Sequence, residues 1–173
     1  MERLLTAVRE IGEIDARLET EALEPVDLEA LLREVAEGFR RRADNREIRL
    51  VSPGAPVLVR ARSERLLQVF ENLLDNALSF SPAGGTVTVT LAANGAAVVQ
   101  IEDQGPGIPE SHLGRIFDRF FTYRPDEPHA RDGHTGLGLA IVKAIVEGYG
   151  GTVTAGNREG GGARFEVRLP GGG

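Results

Sequence analysis

The chain has 173 residues, 41% hydrophobic and 27% charged, which suits one packed soluble domain with an appended element and excludes a disordered polymer. Its 20 Lys+Arg against 26 Asp+Glu give a net charge of −6, so it lacks the basic surplus of a nucleic-acid binder. With no cysteine, disulfides and thiolate metal sites are ruled out and a reducing compartment is the natural home; no stretch approaches the roughly 20 apolar residues of a membrane span, and the acid-rich start is no signal peptide.

In chain order, residues 2–19 carry Leu4, Leu5, Val8, Ile11, Ile14 and Leu18 at helical spacing, which predicts a helix that packs through one face. Residues 20–25 read as a linker. Pro25 and Asp27 then open a second helix over roughly 27–43, with Leu28, Leu31, Leu32, Val35 and Phe39 inward. Short strands are expected over 48–51 and 57–60, separated by Pro and Gly. The segment 63–80 reads as a strong amphipathic helix with Ser63 as its N-cap. Its apolar stripe is Leu66, Leu67, Phe70, Leu73, Leu74, Ala77 and Leu78. Strands follow over 86–91, where TVTVTL alternates, and over 97–102, with Asn94-Gly95 as the hairpin turn. The stretch 103–135 has no regular pattern beyond a short helix near 112–117, and so long a loop is usually a lid or binding loop. A helix over 136–149 and strands over 152–154 and 163–169 complete the chain, with 150–151 and 160–162 as glycine turns. This order predicts an α/β two-layer sandwich, one mixed sheet covered by helices on one face.

Four loops and helix faces carry candidate chemistry. Asn is a poor helix-interior residue because its amide competes for backbone hydrogen bonds. Yet Asn72 and Asn76 stand one turn apart on a single face of the 63–80 helix, beside Ser79. Two neutral amide oxygens suit Mg²⁺, a hard cation that keeps several waters and touches phosphates. Read alone, the pair is more often a solvated face. After the strand ending at Glu102 comes Asp103-Gln104-Gly105-Pro106-Gly107-Ile108-Pro109. Here Gly105 and Gly107 let a flat ligand approach the backbone, and an ionised Asp103 accepts from an exocyclic amine such as that of adenine. His134-Thr135-Gly136-Leu137-Gly138-Leu139-Ala140 opens a helix, whose N–H groups and positive dipole end suit phosphate. Between them Phe117, Phe120, Phe121 and Tyr123 stand with Arg119 and Arg124, either a patch that folds over a nucleotide or a small satellite cluster under a long loop.

In this order the motifs resemble the ATP-binding catalytic domain of bacterial sensor histidine kinases, in the superfamily of DNA gyrase B, Hsp90 and MutL. QVFENLLDNALSFSP is similar to the Asn box, EDQGPGIP to the first Gly box and IFDRFF to the Phe box. HTGLGLAIVKAI is similar to the second Gly box and GGGARFEVRLP to the closing strand. The TYRP and ALSFSP variants resemble the ChvG-type subgroup. The resemblance covers about 27–170 and implies the Bergerat ATP-binding fold, with ATP and Mg²⁺ as ligands. It makes Asn72 and Asn76 the Mg²⁺ and phosphate contacts and Asp103 the adenine amine acceptor. It implies that Gly105 and Gly107 shape the adenine pocket, that Gly136 and Gly138 line the triphosphate, and that Phe80, Ile108, Phe117, Tyr123, Thr135, Leu137 and Leu139 are further ATP-binding residues. Residues 1–20 resemble the distal end of the second helix of a dimerisation hairpin, 21–26 a linker and 171–173 a tail. The implied partners are a histidine-bearing dimerisation domain and a response regulator, with no nucleic acid and no direct membrane contact. The implied location is cytoplasmic, beneath an inner-membrane parent sensor.

Three departures qualify that resemblance. Ser79 stands where the family often has Lys, and Thr122 where it often has Arg, leaving Arg124 and then Arg119 as substitutes. None of His112, His129 and His134 has the context of a phosphoacceptor, so the chain is expected to be a catalytic half that needs its acceptor supplied. Asn72 also occupies the position where gyrase- and Hsp90-type relatives carry a water-activating Glu, and an amide cannot act as a general base. The expected activity is therefore γ-phosphoryl transfer to a histidine rather than hydrolysis. The alternatives are an anti-sigma-type serine kinase, a non-catalytic nucleotide-binding signalling module, and, least, a gyrase-like clamp.

Overall fold

The computed structural model describes residues 22–121 and 137–171, with Arg9 and Gly12. The helix expected over 2–19 otherwise lies outside the described residues.

Strand β1 (Glu24–Asp27) leads into helix α1 (Leu28–Arg40). Asp27 is its N-cap: Oδ1 accepts from Glu29 N at 3.0 Å and also from Val57 N at 3.2 Å. One carboxylate thus satisfies an orphan helix donor and ties the helix to the backbone at Val57. Leu28, Leu31, Leu32, Val35, Ala36 and Phe39 form the buried face, as the spacing predicts. Residues 24–27 were expected to end a linker and start a helix. They instead pair antiparallel with β3 (Leu58–Ala61), Val26 facing Val59. Pro25 is tolerated because this is an edge strand of a separate two-stranded sheet.

The main sheet has the order β2-β4-β5-β7-β6. Its strands are β2 (Glu47–Val51), β4 (Thr86–Asn94), β5 (Ala96–Glu102), β6 (Thr152–Asn157) and β7 (Ala163–Pro170). β2 runs parallel to β4 and the other pairs are antiparallel, so the sheet is mixed, as expected. The period-2 alternation sets its two faces. Val87, Val89 and Leu91, then Ala97, Val99 and Ile101, then Phe165, Val167 and Leu169 are buried under the helices. The opposite face carries polar cross-strand pairs such as Gln100 Nε2 to Glu166 Oε2 at 2.8 Å.

Helix α2 (Ser63–Phe80) occupies the predicted span and packs on this apolar face. Leu66, Val69, Phe70, Leu73, Leu74 and Ala77 are buried, while Leu67 and Leu78 are half-buried at the margin. Full burial of each large side chain contributes about 1.5–3 kcal/mol. Ser63 is not the cap. Arg62 holds that position without a side-chain cap bond, and its N–H donates to the Tyr149 hydroxyl at 3.2 Å. A tertiary contact has replaced the local one. Helix α3 (Glu110–Leu113) is a single turn, shifted N-terminally from the expected 112–117. Helix α4 (Gly138–Gly148) buries Ala140, Ile141, Val142, Ile145 and Val146 against α2 and β6. Among the described residues no helix is long and apolar enough to cross a membrane.

Candidate functional site

The polar strip of α2, the loop after β5 and the start of α4 meet at one end of the sandwich. There a small cavity is lined by Asn76, Phe80, Asp103, Gly107, Ile108, Ile116, Ala163 and Phe165. Asn76, Phe80, Asp103, Gly107 and Ile108, far apart in sequence, are brought together in its wall. A mostly apolar cleft with few polar groups suits a flat, partly polar ligand.

Asp103 is 1% exposed. Its Oδ1 accepts from Gly105 N at 2.9 Å and Ala163 N at 3.1 Å, and among the described residues no donor meets Oδ2. One oxygen is therefore spent on the fold and the other is available to a ligand. Burial pushes the carboxyl above its usual range, while the Ala163 and Gly105 amides and the Arg158 charge pull it down. A raised folded value favours the protonated form in the fold. That contribution to stability is complete below the unfolded value and is lost as pH climbs through the folded one. Without ligand, the denaturant midpoint of the wild type should fall relative to Asp103→Asn as pH rises above about 4. Parallel pH profiles for the two proteins would contradict this.

The glycines of this loop are required by the protein itself, before any ligand is considered. A Cβ on Gly105 would lie 2.6 Å from the Phe80 carbonyl oxygen. Gly107 has φ +82°, and a Cβ there would lie 2.7 Å from Asn157 Oδ1. Ligand approach is the reason expected from the sequence; crowding by the Phe80 carbonyl and the Asn157 side chain is a second reason, present in the fold itself.

Asn72 sits a turn before Asn76, and its Nδ2 donates to the Gly138 carbonyl at 3.3 Å. The strip of α2 thus abuts the first turn of α4. That helix starts after Leu137 without a side-chain cap and without an acid in its first turn. Such an end leaves N–H groups free and favours an anion. Leu137 is buried and Leu139 half-buried, so both serve packing, with their backbone at the helix start. Among the described residues no group of three or more His, Cys, Asp or Glu could hold a metal ion. The donors beside α4 are amides, a set that fits a cation sharing its shell with water and phosphate.

The aromatic segment divides. Ile116 lines the cavity, whereas Phe117 is not among its lining residues and packs edge-on against Phe165, with centroids 6.0 Å apart. Phe165 is a lining residue that the sequence reading did not single out. Arg119 is exposed and does not line the cavity. Phe120 is 51% exposed at φ +67°. Thr122, Tyr123, Arg124, His129, His134, Thr135 and Gly136 lie outside the described residues.

The segment from Asn157 to Ala163 was also missed. Arg158 Nη1 donates to the Asp103 carbonyl at 3.0 Å and its Nε pairs with Glu102 at 3.3 Å. Asn157 accepts from Ile108 N and donates to Ile108 O, each at 2.7 Å. The triple glycine was the signal: three in a row exceed what a hairpin turn needs.

Comparison with known proteins agrees with this geometry. The family described as Histidine kinase-, DNA gyrase B-, and HSP90-like ATPase matches residues 61–172. The sensor protein ChvG of Rhizobium meliloti (strain 1021) is 35% identical over 187 residues, covering 99% of this chain and 32% of ChvG. The mycobacterial sensor histidine kinase MprB aligns with a TM-score of 0.75 at 35% identity, covering 86% of this chain and 97% of that one. Full-length ShkA in complex with AMPPNP aligns with a TM-score of 0.76 at 34% identity, covering 98% of this chain and 36% of that one. The chain spans at most 32% of the length of the first curated relatives it matches. Motifs, sheet order and relatives agree that the chain belongs to the histidine kinase-, DNA gyrase B- and HSP90-like ATPase family, as a catalytic ATP-binding domain of the sensor histidine kinase kind.

Proposed function

We propose that this domain binds Mg·ATP with the adenine in the Asp103 cavity and passes the γ-phosphoryl group to a histidine on a separate dimerisation domain. The observation that carries the reading is the buried Asp103 with one oxygen committed to the fold and none of the described donors on the other. Oδ2 accepts the adenine amine, Phe80, Ile108 and Ile116 cover the ring, and the start of α4 receives the phosphates. Asn76 and Asn72 hold Mg²⁺, which neutralises charge on the transferred group. In the transfer the bond from γ-phosphorus to the bridging oxygen breaks, ADP leaves with that electron pair, and a bond forms to the acceptor imidazole nitrogen.

Transfer is favoured over hydrolysis by the placement of Glu71. That residue is exposed and lines a groove with Glu34, Phe39 and Leu67 of α1 and α2, away from the cavity. Asn72 takes the inward position, and an amide cannot activate water. We further propose that the domain is inactive without a supplied acceptor, that its downstream partner is a response regulator, and that it works in the cytoplasm.

One observation favours the non-catalytic alternative. Ser79 donates to its own helix, at the Asn76 carbonyl 2.8 Å away, so no cation stands where the family often has Lys. Incubation with labelled Mg·ATP and a separately produced ChvG-type dimerisation domain decides the matter. Acid-labile label on that domain, with little phosphate released in its absence, is the expected result. Acid-stable label would indicate a serine kinase, and ATP binding without any transfer a signalling module. Rapid hydrolysis that is lost in Asn76→Ala would overturn the reading.

A further inference from the structure

We infer that Asn157 is a positioning residue for base recognition, fixing the loop that carries Gly107 and Ile108 so that the cavity keeps its shape toward Asp103. This inference rests on the nucleotide reading above. Asn157 ends β6, yet its side chain behaves as a strand partner to a loop residue. Oδ1 accepts from Ile108 N and Nδ2 donates to Ile108 O, both at 2.7 Å. The bonds join residues 49 apart in sequence. Both backbone groups of Ile108 are thereby satisfied by one side chain, which fixes the position and tilt of a cavity wall. The fit leaves no slack, since Gly107 already approaches Asn157 Oδ1 too closely for any Cβ.

The same short segment holds the polar end of the cavity. Arg158 donates to the Asp103 carbonyl, and Ala163 N donates to Asp103 Oδ1. Asn157 therefore sets the distance between the acceptor carboxylate and the apolar wall, the two features that define a base by its edge and its face. An amide is suited to this task because it offers one donor and one acceptor in a plane. Neither Ala nor Asp supplies both: ionised Asp keeps the acceptor for Ile108 N but sets a second oxygen against Ile108 O.

Asn157 is itself exposed, so its replacement leaves the core intact. The test uses the whole chain as Asn157→Ala and Asn157→Asp, with Asp103→Asn alongside. Affinities for ADP, Mg·ATP and Mg·GTP are measured by calorimetric titration, and ligand-free melting is recorded. Both Asn157 variants should bind ADP and ATP about fivefold or more weakly and by the same factor, with the ATP-to-ADP ratio unchanged and preference for ATP over GTP reduced. Affinities and base preference within about twofold of wild type would overturn the inference, even if melting fell, because a merely structural role moves only melting. If Asp103→Asn loses binding while the Asn157 variants do not, the inference fails and the nucleotide reading stands. If the wild type binds no adenine nucleotide, or none of the variants changes binding, both fail.

Discussion

Asp103→Asn is expected to weaken ATP and ADP binding about 10- to 100-fold, from a lost charge-assisted bond of about 1.5–3 kcal/mol. The substitution is nearly isosteric, and its effect follows from which oxygen is already used. Gly105 and Ala163 both donate to Oδ1, so an Asn must keep its carbonyl oxygen there. The Nδ2 group is then forced to the ligand side, where a donor faces the donor of the adenine amine. Neither backbone bond need be lost, and a desolvated charge is removed, so ligand-free stability near neutral pH should hold or rise. Loss of binding with retained folding is the signature. A proton on Asp103 should act like the mutation. Because burial raises this carboxyl, wild-type affinity should fall on acidification before ordinary carboxylates titrate, while the residual affinity of the Asn variant stays flat. Equal affinity of the two proteins, measured by calorimetry across pH, would contradict the assignment.

Gly162→Ala carries the largest expected cost to the fold. Gly162 has φ +100°, a conformation in which an L side chain is strained by about 1–3 kcal/mol. A Cβ there also runs into the carbonyl group of Asp103. Backbone meets backbone, so no rotamer change relieves the clash. Either the start of β7 or the loop after β5 must shift; the loop carries Asp103, and Ala163 at the start of β7 donates to its Oδ1. Destabilisation of about 3 kcal/mol or more, a melting point lower by about 10 °C, and loss of nucleotide binding are expected together. Gly160→Ala is the control, because Gly160 shares a positive φ of +90° but a Cβ there meets nothing within 4 Å. Melting and titration of the pair separate backbone strain from collision. Equal, small losses for both would show that the Asp103 contact has slack.

These two residues differ in how far the sequence exposed them. Asp103 was legible as a candidate because its signal is local: a carboxylate directly after a strand, followed by glycines, is a pattern that neighbouring residues reveal. Helix α2 was legible for the same reason, its apolar spacing giving the span Ser63–Phe80 unaided. Gly162, Asn157 and Arg158 act on residues about 50 to 60 positions earlier, and nothing nearby in sequence reports such contacts. Their effect depends on β5 pairing with β7, which no periodicity specifies. The cap of α2 and strand β1 were misread alike. Local rules favoured Ser63 and a proline-broken linker, while Tyr149 and β3 supplied partners from elsewhere in the fold. For Gly105 and Gly107 the residue type was informative but its reason was hidden, since the crowding atoms belong to Phe80 and Asn157.

The central claim is that α2, the loop after β5 and the start of α4 form one Mg·ATP site. A crystal structure of the chain with Mg²⁺ and a non-hydrolysable ATP analogue tests it most directly. The adenine amine is expected within hydrogen-bond distance of Asp103 Oδ2, the phosphates at the start of α4, and the metal bound through the Asn76 side chain. Adenine density away from Asp103, or a metal with no contact to Asn72 or Asn76, would contradict it.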